Sequence, residues 1–241
     1  PLKYLFKFSI PPNIKAALYD LQFDSPLISA SFKDDVSSLL QWQLVGIGGI
    51  TYKTVLKSPS EGNLRPRIQE VNYKGDYAIL NSLGLPTKGV RKFIASLDNK
   101  KMTDFNRPIG ISIGGNSPEE YFVVFKEIDD HLNSLDYKQF FYEINISCPN
   151  TDNGQTICED PGALQNMLSL IRENIFQPIS IKVSPDVSDS TLDEIGEHIR
   201  SCPGIHAQQC IGMGQQILLG HWADRMNNGI FPCDGDYIQV G

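Results

Sequence analysis

The stretch of sequence that decides the fold is FFYEINIS, residues 140–147. It is almost continuously apolar and rich in aromatic and β-branched side chains, instead of alternating between apolar and polar positions. Such a run is typical of a strand covered on both faces, as in a parallel sheet. Four other runs share this character: residues 26–31 (PLISAS), 45–52 (VGIGGITY), 108–113 (PIGISI) and 178–183 (PISIKV). The sequence therefore predicts a parallel sheet.

Helical signals lie between these strands. In SPEE, residues 117–120, a serine N-cap is followed by proline at the first helical position and by glutamate three residues after the cap. A second helix is predicted to open at residues 160–161 (DP) with a buried stripe from Leu164 to Ile175, and a third to cover residues 190–200. Strands that alternate with helices predict right-handed βαβ crossovers, and hence a closed barrel or an open doubly wound sheet.

The placement of polar residues favours the barrel. Polar side chains follow at least four of the predicted strands, at Ser31, at Lys53, at residues 112–116 and at residues 145–150. Barrel enzymes carry their chemistry at the C-terminal ends of several different strands. The predicted fold is therefore an α/β protein with a closed (β/α) barrel, and the length of the chain suits residues 1–241 as a single domain.

Composition excludes several classes of function. The formal net charge is -7 and no run is rich in Lys and Arg, so we expect no nucleic-acid partner. The five cysteines contain no C-x-x-C pair, which favours reduced thiols in a cytoplasmic protein, and the four histidines have no metal-ligand spacing. No apolar stretch approaches the roughly 20 residues of a membrane span. Residues 1–8 (PLKYLFKF) lack a signal-peptide cleavage site and are expected to form a packed helix, with a membrane-facing or partner-facing element as the alternative.

The strongest candidate for chemistry is NISCPNT, residues 145–151, at the end of an apolar strand. Asn145 and Asn150 flank Cys148, and each carboxamide offers donors and an acceptor in one plane, which suits a pyrimidine-like ring. The Cys148 thiol can act as a base if its pKa is lowered or if the substrate proton is acidic. The alternative is a small buried cysteine in an ordinary loop.

Two further clusters lie before and after a long polar segment, residues 57–76, which we expect to be a lid or binding loop. Lys53 ends a predicted strand and can neutralise an anionic ligand, although a solvated lysine is the simpler interpretation. NSLGLP, residues 81–86, offers a carboxamide and a glycine that a flat ligand can approach closely, but taken alone it is a turn.

Two further strands carry candidate site residues. SIGGN, residues 112–116, is Gly-rich but lacks the spacing of a phosphate-binding loop. Lys182 lies inside an otherwise apolar strand, where a cation is costly unless it is paired. We therefore expect Lys182 to point into the barrel mouth towards a carboxylate, a phosphate or a flavin oxygen.

These segments, in this order, resemble the dihydroorotate dehydrogenase family over approximately residues 24–186. NISCPN resembles the family signature N-[LI]-S-[CS]-P-N, and NSLGLP resembles the family's N-S-M-G-L-P loop with Leu83 in place of Met. Lys53, ten residues before Asn63, is similar to the lysine that precedes the family's E-G-N-x-x-P-R segment. Lys182 matches the family's flavin lysine.

The resemblance implies a TIM-type (β/α)8 barrel that holds FMN at its C-terminal mouth and oxidises dihydroorotate to orotate in pyrimidine biosynthesis. It implies that Cys148 removes the C5 proton while hydride moves from C6 to flavin N5. The residues it assigns to the substrate are Lys53, Asn81, Leu83, Gly84, Leu85, Asn145 and Asn150. Those it assigns to FMN are Ala30, Ser31, Lys53, Ser112, Asn145, Lys182, Gly229 and Gly241.

The electron acceptor is left open by the resemblance. In having a cysteine rather than a serine as the base, the chain resembles the soluble class of the family. Members of that class use fumarate, or NAD through a partner subunit. The membrane-linked class uses quinone and usually a serine base. The resemblance is also compatible with a homodimer.

The last third departs from the family. Residues 228–230 (NGI) resemble a family G-G-I segment and residues 235–241 resemble the final barrel strand, but only five residues separate Ile230 from Asp236. That is too few for the helix of a βαβ crossover, so the C-terminal part is expected to be atypical or incomplete. Phe32 stands where the family often has Gly.

Two alternatives remain. One is a flavin barrel that acts on another dihydropyrimidine, whose signature usually continues P-H-G and is accompanied by iron-sulfur cysteine clusters. The other is a non-catalytic barrel that has lost its flavin phosphate site.

Overall fold

A computed structural model gives the fold and describes residues 9–18, 20–73, 76–97, 107–146, 161–183, 188–200, 205–209 and 238–240. Its strands are β1 (Ala16–Leu18), β2 (Leu21–Phe23), β3 (Leu27–Ser29), β4 (Ile50–Val55), β5 (Ile68–Tyr73), β6 (Asp76–Asn81), β7 (Ile109–Ile113), β8 (Phe140–Asn145), β9 (Ile179–Val183), β10 (Ile205–Gln209) and β11 (Ile238–Val240). Its helices are α1 (Val36–Leu44), α2 (Val90–Leu97), α3 (Pro118–Ser134), α4 (Pro161–Arg172) and α5 (Asp189–Arg200), preceded by a single 3-10 turn, Pro12–Ile14.

Seven strands of the described residues form the parallel centre of the protein. Five of them, β4, β7, β8, β9 and β10, lie side by side in chain order and form one hydrogen-bonded sheet. Strand β3 flanks β4 through the bond from Ser29 N–H to Gly49 O, 3.1 Å, and pairs on its other side with β11 in parallel. The last parallel strand, β11, therefore neighbours the first parallel strand, β3. This is the cyclic order of a closed barrel.

A contact across the sheet requires strong curvature. Ser31 follows β3 and Glu143 lies on β8, so three strand spacings separate them, about 14 Å in a flat sheet. The Ser31 hydroxyl nevertheless donates to Glu143 Oε1 at 2.7 Å. The strands must therefore curl around a common interior, which we call the lumen.

The outer face of the sheet is apolar and carries the main core. Alternate residues of β7, β8 and β9 are buried against the helices: Ile109, Ile111, Ile113, Phe140, Tyr142, Ile144, Ile179, Ile181 and Val183. The predicted stripe of α4 is confirmed, since Leu164, Met167, Leu168, Ile171 and Ile175 are buried. On α3 the buried apolar stripe consists of Tyr121, Val124, Phe125, Ile128 and Leu132. No helix in the described part of the chain combines the length and apolar character needed to cross a membrane.

Aromatic side chains fill the end of the lumen at which the parallel strands begin. Phe23 from the β1–β2 hairpin meets Phe141 of β8 edge-on, with ring centroids 6.2 Å apart. Gly110 of β7 leaves room for this packing, because a Cβ there would lie 2.5 Å from the Phe141 ring. The floor of the lumen is thus closed and apolar, and polar groups face the opposite end.

The prediction of a loop over residues 57–76 is wrong for Ile68–Tyr73, which form strand β5. Strand β5 pairs antiparallel with β6 in a two-stranded ribbon. Polar residues such as Glu70 and Asn72 are exposed on this ribbon, so its composition resembles that of a loop. Its backbone N–H and C=O groups are nevertheless hydrogen-bonded between the two strands. The β1–β2 hairpin was likewise not predicted, and residues 1–8, predicted to form a packed helix or a membrane-facing element, lie outside the described residues.

Packing of α3 on the sheet gives a test of this core. Ile128 is fully buried, and Ile128→Ala is expected to lower the free energy of unfolding by about 2–5 kcal/mol, because it leaves a cavity between helix and sheet. Lys126→Ala on the exposed side removes the ion pair with Asp130 and should cost about 0.5 kcal/mol or less. Urea unfolding compares the two. Equal losses would contradict the assigned packing.

Candidate functional site

Polar residues line the lumen near the C-terminal ends of the parallel strands. Because alternate residues of a strand share a face, Glu143 and Asn145 of β8 point away from the outer core, as do their register partners Ser112 of β7 and Lys182 of β9. We call the inward-facing set the lumen cluster: Ser31, Thr54, Ser112, Glu143, Asn145 and Lys182.

One half of the lumen cluster is a chain of hydrogen bonds across three neighbouring strands. The Asn145 amide donates from Nδ2 to Thr54 Oγ1 at 2.9 Å. Thr54 Oγ1 also lies 3.0 Å from Ser112 Oγ. All three side chains are buried, so these bonds replace water and hold the Asn145 carboxamide in one orientation.

The other half is an ionic group that spans the lumen. Glu143 is 1% exposed, and its Oε1 accepts from Ser31 and lies 3.8 Å from Lys182 Nζ. Lys182 Nζ lies 3.5 Å from Ser31 Oγ, and its side chain is 18% exposed. The ammonium of Lys182 is thus held between β3, β8 and β9, with one side left open to the lumen.

The end of β8 is anchored from outside the sheet. The Tyr121 hydroxyl on α3 donates to the Asn145 carbonyl oxygen at 2.8 Å. Helix α3 itself begins at the predicted N-cap, where the Ser117 side chain accepts from Glu120 N–H. The strand is therefore fixed at the point where the chain enters the NISCPN segment.

Lys53 lies where β4 changes register between Tyr52 and Val55. The irregularity turns Thr54 into the lumen, while Lys53 lines a cavity of about 460 Å³ together with Asp34, Asp35, Lys88 and Lys92. Burial, with the charges of Asp34 and Asp35, raises the pKa of Tyr52 in the same wall to about 12, so its hydroxyl stays protonated. Lys53 thus lies beside the lumen cluster, next to Thr54 in the chain.

The segment around Asn63 and the NSLGLP motif, residues 81–86, lie at the two ends of the β5–β6 ribbon and contact each other. Asn63 donates from Nδ2 to Ser82 Oγ at 2.8 Å, and its backbone N–H donates to Leu83 O at 3.1 Å. Gly84 has φ +68° and packs so closely on Asn63 that a Cβ would lie 2.5 Å from Asn63 N. Any larger residue at Gly84 would push the two loops apart.

The structure brings part of the predicted site together. Ser31, Ser112, Asn145 and Lys182 lie in the lumen cluster, and Ala30 immediately precedes Ser31. Asn81 is the last residue of strand β6, and Leu83, Gly84 and Leu85 follow it. Leu85 comes within 3.8 Å of the position of a Cβ on Gly114 after β7. Cys148, Asn150, Gly229 and Gly241 lie outside the described residues.

Two members of the lumen cluster were not predicted as site residues, Glu143 and Thr54. The signal for Glu143 is present in the sequence, since a carboxylate inside FFYEIN is as costly as a lysine inside ISIKV. Thr54 carries no such signal, because threonine is common in strands and its inward orientation depends on the irregularity in β4. No group of three or more His, Cys, Asp or Glu residues within the described ranges could hold a metal ion.

The role of Thr54 as the centre of the hydrogen-bond chain can be tested. Thr54→Val keeps the shape but leaves the Asn145 amide and the Ser112 hydroxyl without this partner, so the free energy of unfolding should fall by about 1–3 kcal/mol. Thr54→Ser keeps the hydroxyl and loses one methyl group, and should be the more stable of the two variants. Urea unfolding of both decides the point, and a valine variant as stable as the serine variant would refute it.

The chain is similar to known proteins along most of its length. The family model for dihydroorotate dehydrogenase matches residues 13–229. A protein of Pyrococcus horikoshii named dihydroorotate dehydrogenase B (NAD(+)), catalytic subunit, is 27% identical over 181 residues, which are 74% of this chain and 55% of that protein. A dihydroorotate dehydrogenase (quinone) of Corynebacterium glutamicum is 30% identical over 191 residues, which are 77% of this chain and 48% of that protein.

Solved structures show the same fold. The ligand-free dihydroorotate dehydrogenase of Eimeria tenella superposes with a TM-score of 0.66 at 18% identity, covering 85% of this chain and 65% of that one. This agreement, together with the cyclic strand order, confirms the predicted TIM-type α/β barrel. The chain spans about half the length of the curated relatives it matches. By the match over residues 13–229, the chain belongs to the dihydroorotate dehydrogenase family.

Proposed function

We propose that this chain, as one FMN-binding barrel domain over residues 1–241, oxidises dihydroorotate to orotate in de novo pyrimidine biosynthesis. The observation that carries the proposal is the lumen cluster. A cation and an oriented carboxamide, Lys182 and Asn145, lie at neighbouring strand ends of a barrel whose family is named for this reaction. Such a mouth suits a flat ligand that carries negative charge.

The lumen cluster fits a flavin by the chemistry of its donors. Lys182 offers a cation to the pyrimidine edge of the ring, where negative charge gathers on reduction. Ser31, Ser112 and Asn145 add hydroxyl and amide groups, with Ala30 and Lys53 beside them. Glu143 Oε2 is buried and has no hydrogen-bond partner among the described residues, so the lumen retains an acceptor for a ligand hydroxyl or N–H. The phosphate is proposed to bind near Gly229 and Gly241.

The substrate is proposed to lie over the flavin and to be bound there by carboxamides. Asn145 and Asn150 would pair with the alternating N–H and C=O edge of the ring, and Asn81 would do so from the end of β6. Lys53 would face the substrate carboxylate, and residues 83–85 would close over the ring. Held in this way, the reacting atoms are aligned before reaction.

Cys148 is proposed as the catalytic base. Its thiolate takes the proton from C5 of dihydroorotate, and a hydride leaves C6, so that the C5–C6 double bond of orotate forms and the substrate loses two electrons. FMN supplies the hydride acceptor at N5 when it is bound. A general base positioned in this way accelerates proton transfer by about 10²–10⁴-fold.

The oxidant that regenerates the flavin is proposed to be fumarate, quinone or NAD. The relatives include proteins named for NAD(+) and proteins named for quinone, so similarity does not choose between these acceptors. The odd number of cysteines and the lack of a C-x-x-C pair in the sequence favour a cytoplasmic location, with membrane association through residues 1–8 as the alternative. A homodimer is the proposed assembly.

Purified protein tests the function directly. It should be yellow, with flavin absorption bands that bleach when dihydroorotate is added without oxygen, and orotate should accumulate. Bleaching by another dihydropyrimidine alone would favour a related flavin barrel. A colourless protein that FMN does not reconstitute would favour a non-catalytic barrel. Addition of fumarate, a quinone or NAD to the bleached protein then identifies the acceptor.

The proposed base gives a second test. Cys148→Ala should keep its bound flavin and lose about 10²–10⁴-fold in turnover near neutral pH, because the C5 proton no longer has an acceptor. Cys158→Ala, which removes a thiol ten residues further along, serves as the control and should retain activity. Steady-state turnover with dihydroorotate measures both. Substantial activity in Cys148→Ala would show that another group removes the proton.

A further inference from the structure

Glu143 is the one carboxylate of the lumen cluster, and it was not among the site residues predicted from the sequence. It lies in the middle of the apolar strand β8 and is almost fully buried. Burial of a carboxylate is strongly unfavourable unless the charge is paired. The described structure offers one cation in contact with it, Lys182 on the adjacent strand.

The hydrogen bond from Ser31 does not by itself require a carboxylate. A neutral glutamine at position 143 could accept the same bond through its carbonyl oxygen. The negative charge is therefore needed for Lys182, whose ammonium would otherwise stand uncompensated in a lumen floored by aromatic rings. Buried pairs of this kind contribute little net stability, so a role beyond stability is expected.

We propose that Glu143 is a positioning residue that holds the Lys182 ammonium at the lumen wall and offsets its charge, and thereby limits how strongly the protein stabilises the reduced, more negatively charged form of the bound flavin. The inference rests on the proposed function, since it assumes that FMN occupies the lumen mouth.

The sign of the effect follows from Coulomb's law. With Glu143 ionised, Lys182 and Glu143 together are neutral, and a flavin beside them experiences only part of the positive field of the ammonium. Without the carboxylate the full positive charge acts on the flavin, which stabilises the anionic reduced state. Removal of the charge at position 143 should therefore raise the reduction potential of the flavin.

Glu143→Gln tests the charge, and Glu143→Asp tests the geometry. The glutamine variant keeps the bond to Ser31 and loses the charge. The aspartate variant keeps the charge and withdraws it by one methylene. We expect a higher flavin reduction potential in Glu143→Gln and a value near that of the unmodified protein in Glu143→Asp, measured by equilibration with a reference dye. The exposed Glu194→Gln is the matched control and should change nothing.

A second measurement needs no flavin. In the flavin-free protein, acetic anhydride labels lysine side chains, and peptide mass spectrometry compares Lys182 with the exposed Lys138 in the same sample. Loss of the ion pair in Glu143→Gln should increase the relative labelling of Lys182 about fivefold, because the amine is no longer held against the carboxylate. Glu143→Asp should increase it less.

The two measurements separate the possible failures. Unchanged labelling of Lys182 in both variants would overturn the positioning role, whatever the protein's activity. Increased labelling with an unchanged potential in yellow Glu143→Gln protein would overturn the effect on the flavin. If the unmodified protein binds no FMN, the proposed function fails, whereas the labelling result still decides whether Glu143 holds Lys182. If Glu143→Gln does not fold, labelling of Glu143→Asp decides the same point.

Discussion

A buried carboxylate that reaches across the inside of the barrel is the constraint on which the rest of the site depends. Glu143 on β8 contacts Lys182 on the adjacent strand β9 and also Ser31 after β3, which would lie far from β8 in a flat sheet. The contact with Ser31 can form only when the sheet curls, so the curvature of the barrel and the arrangement of the polar groups depend on each other. In this respect the site is part of the interior of the fold.

The division of the lumen into two ends follows from the same alternation of side chains. Near the start of the strands the inward positions are Phe141 and Gly110, closed by Phe23 from the N-terminal hairpin. Two residues further along β8 and β7 the inward positions become Glu143 and Ser112. An apolar floor beneath a polar mouth strengthens the electrostatic interactions above it, because little water reaches them from below.

Much of this arrangement could be predicted from the sequence. The continuous apolar runs predicted the parallel strands, the N-cap at Ser117 predicted the start of α3, and the cost of a buried cation predicted that Lys182 needs a partner. The β5–β6 ribbon was missed because a two-stranded hairpin exposed to solvent has the composition of a loop. Glu143 was missed although the reasoning applied to Lys182 applies to it equally, while Thr54 could not have been found without the register shift in β4.

The sequence by itself determined which residues form strands and helices, because hydrophobic periodicity and capping are local properties of the chain. It also determined the family, because the motifs at Lys53, residues 81–86, residues 145–150 and Lys182 follow one another in the family's order, and the family model matches residues 13–229. Only the tertiary structure decided which polar groups contact one another. The pairing of Glu143 with Ser31 joins residues 112 positions apart, and that of Lys182 with Ser31 joins residues 151 apart. Contacts at such separation arise from the curvature of the sheet and the register of its strands, and no local pattern encodes either of them.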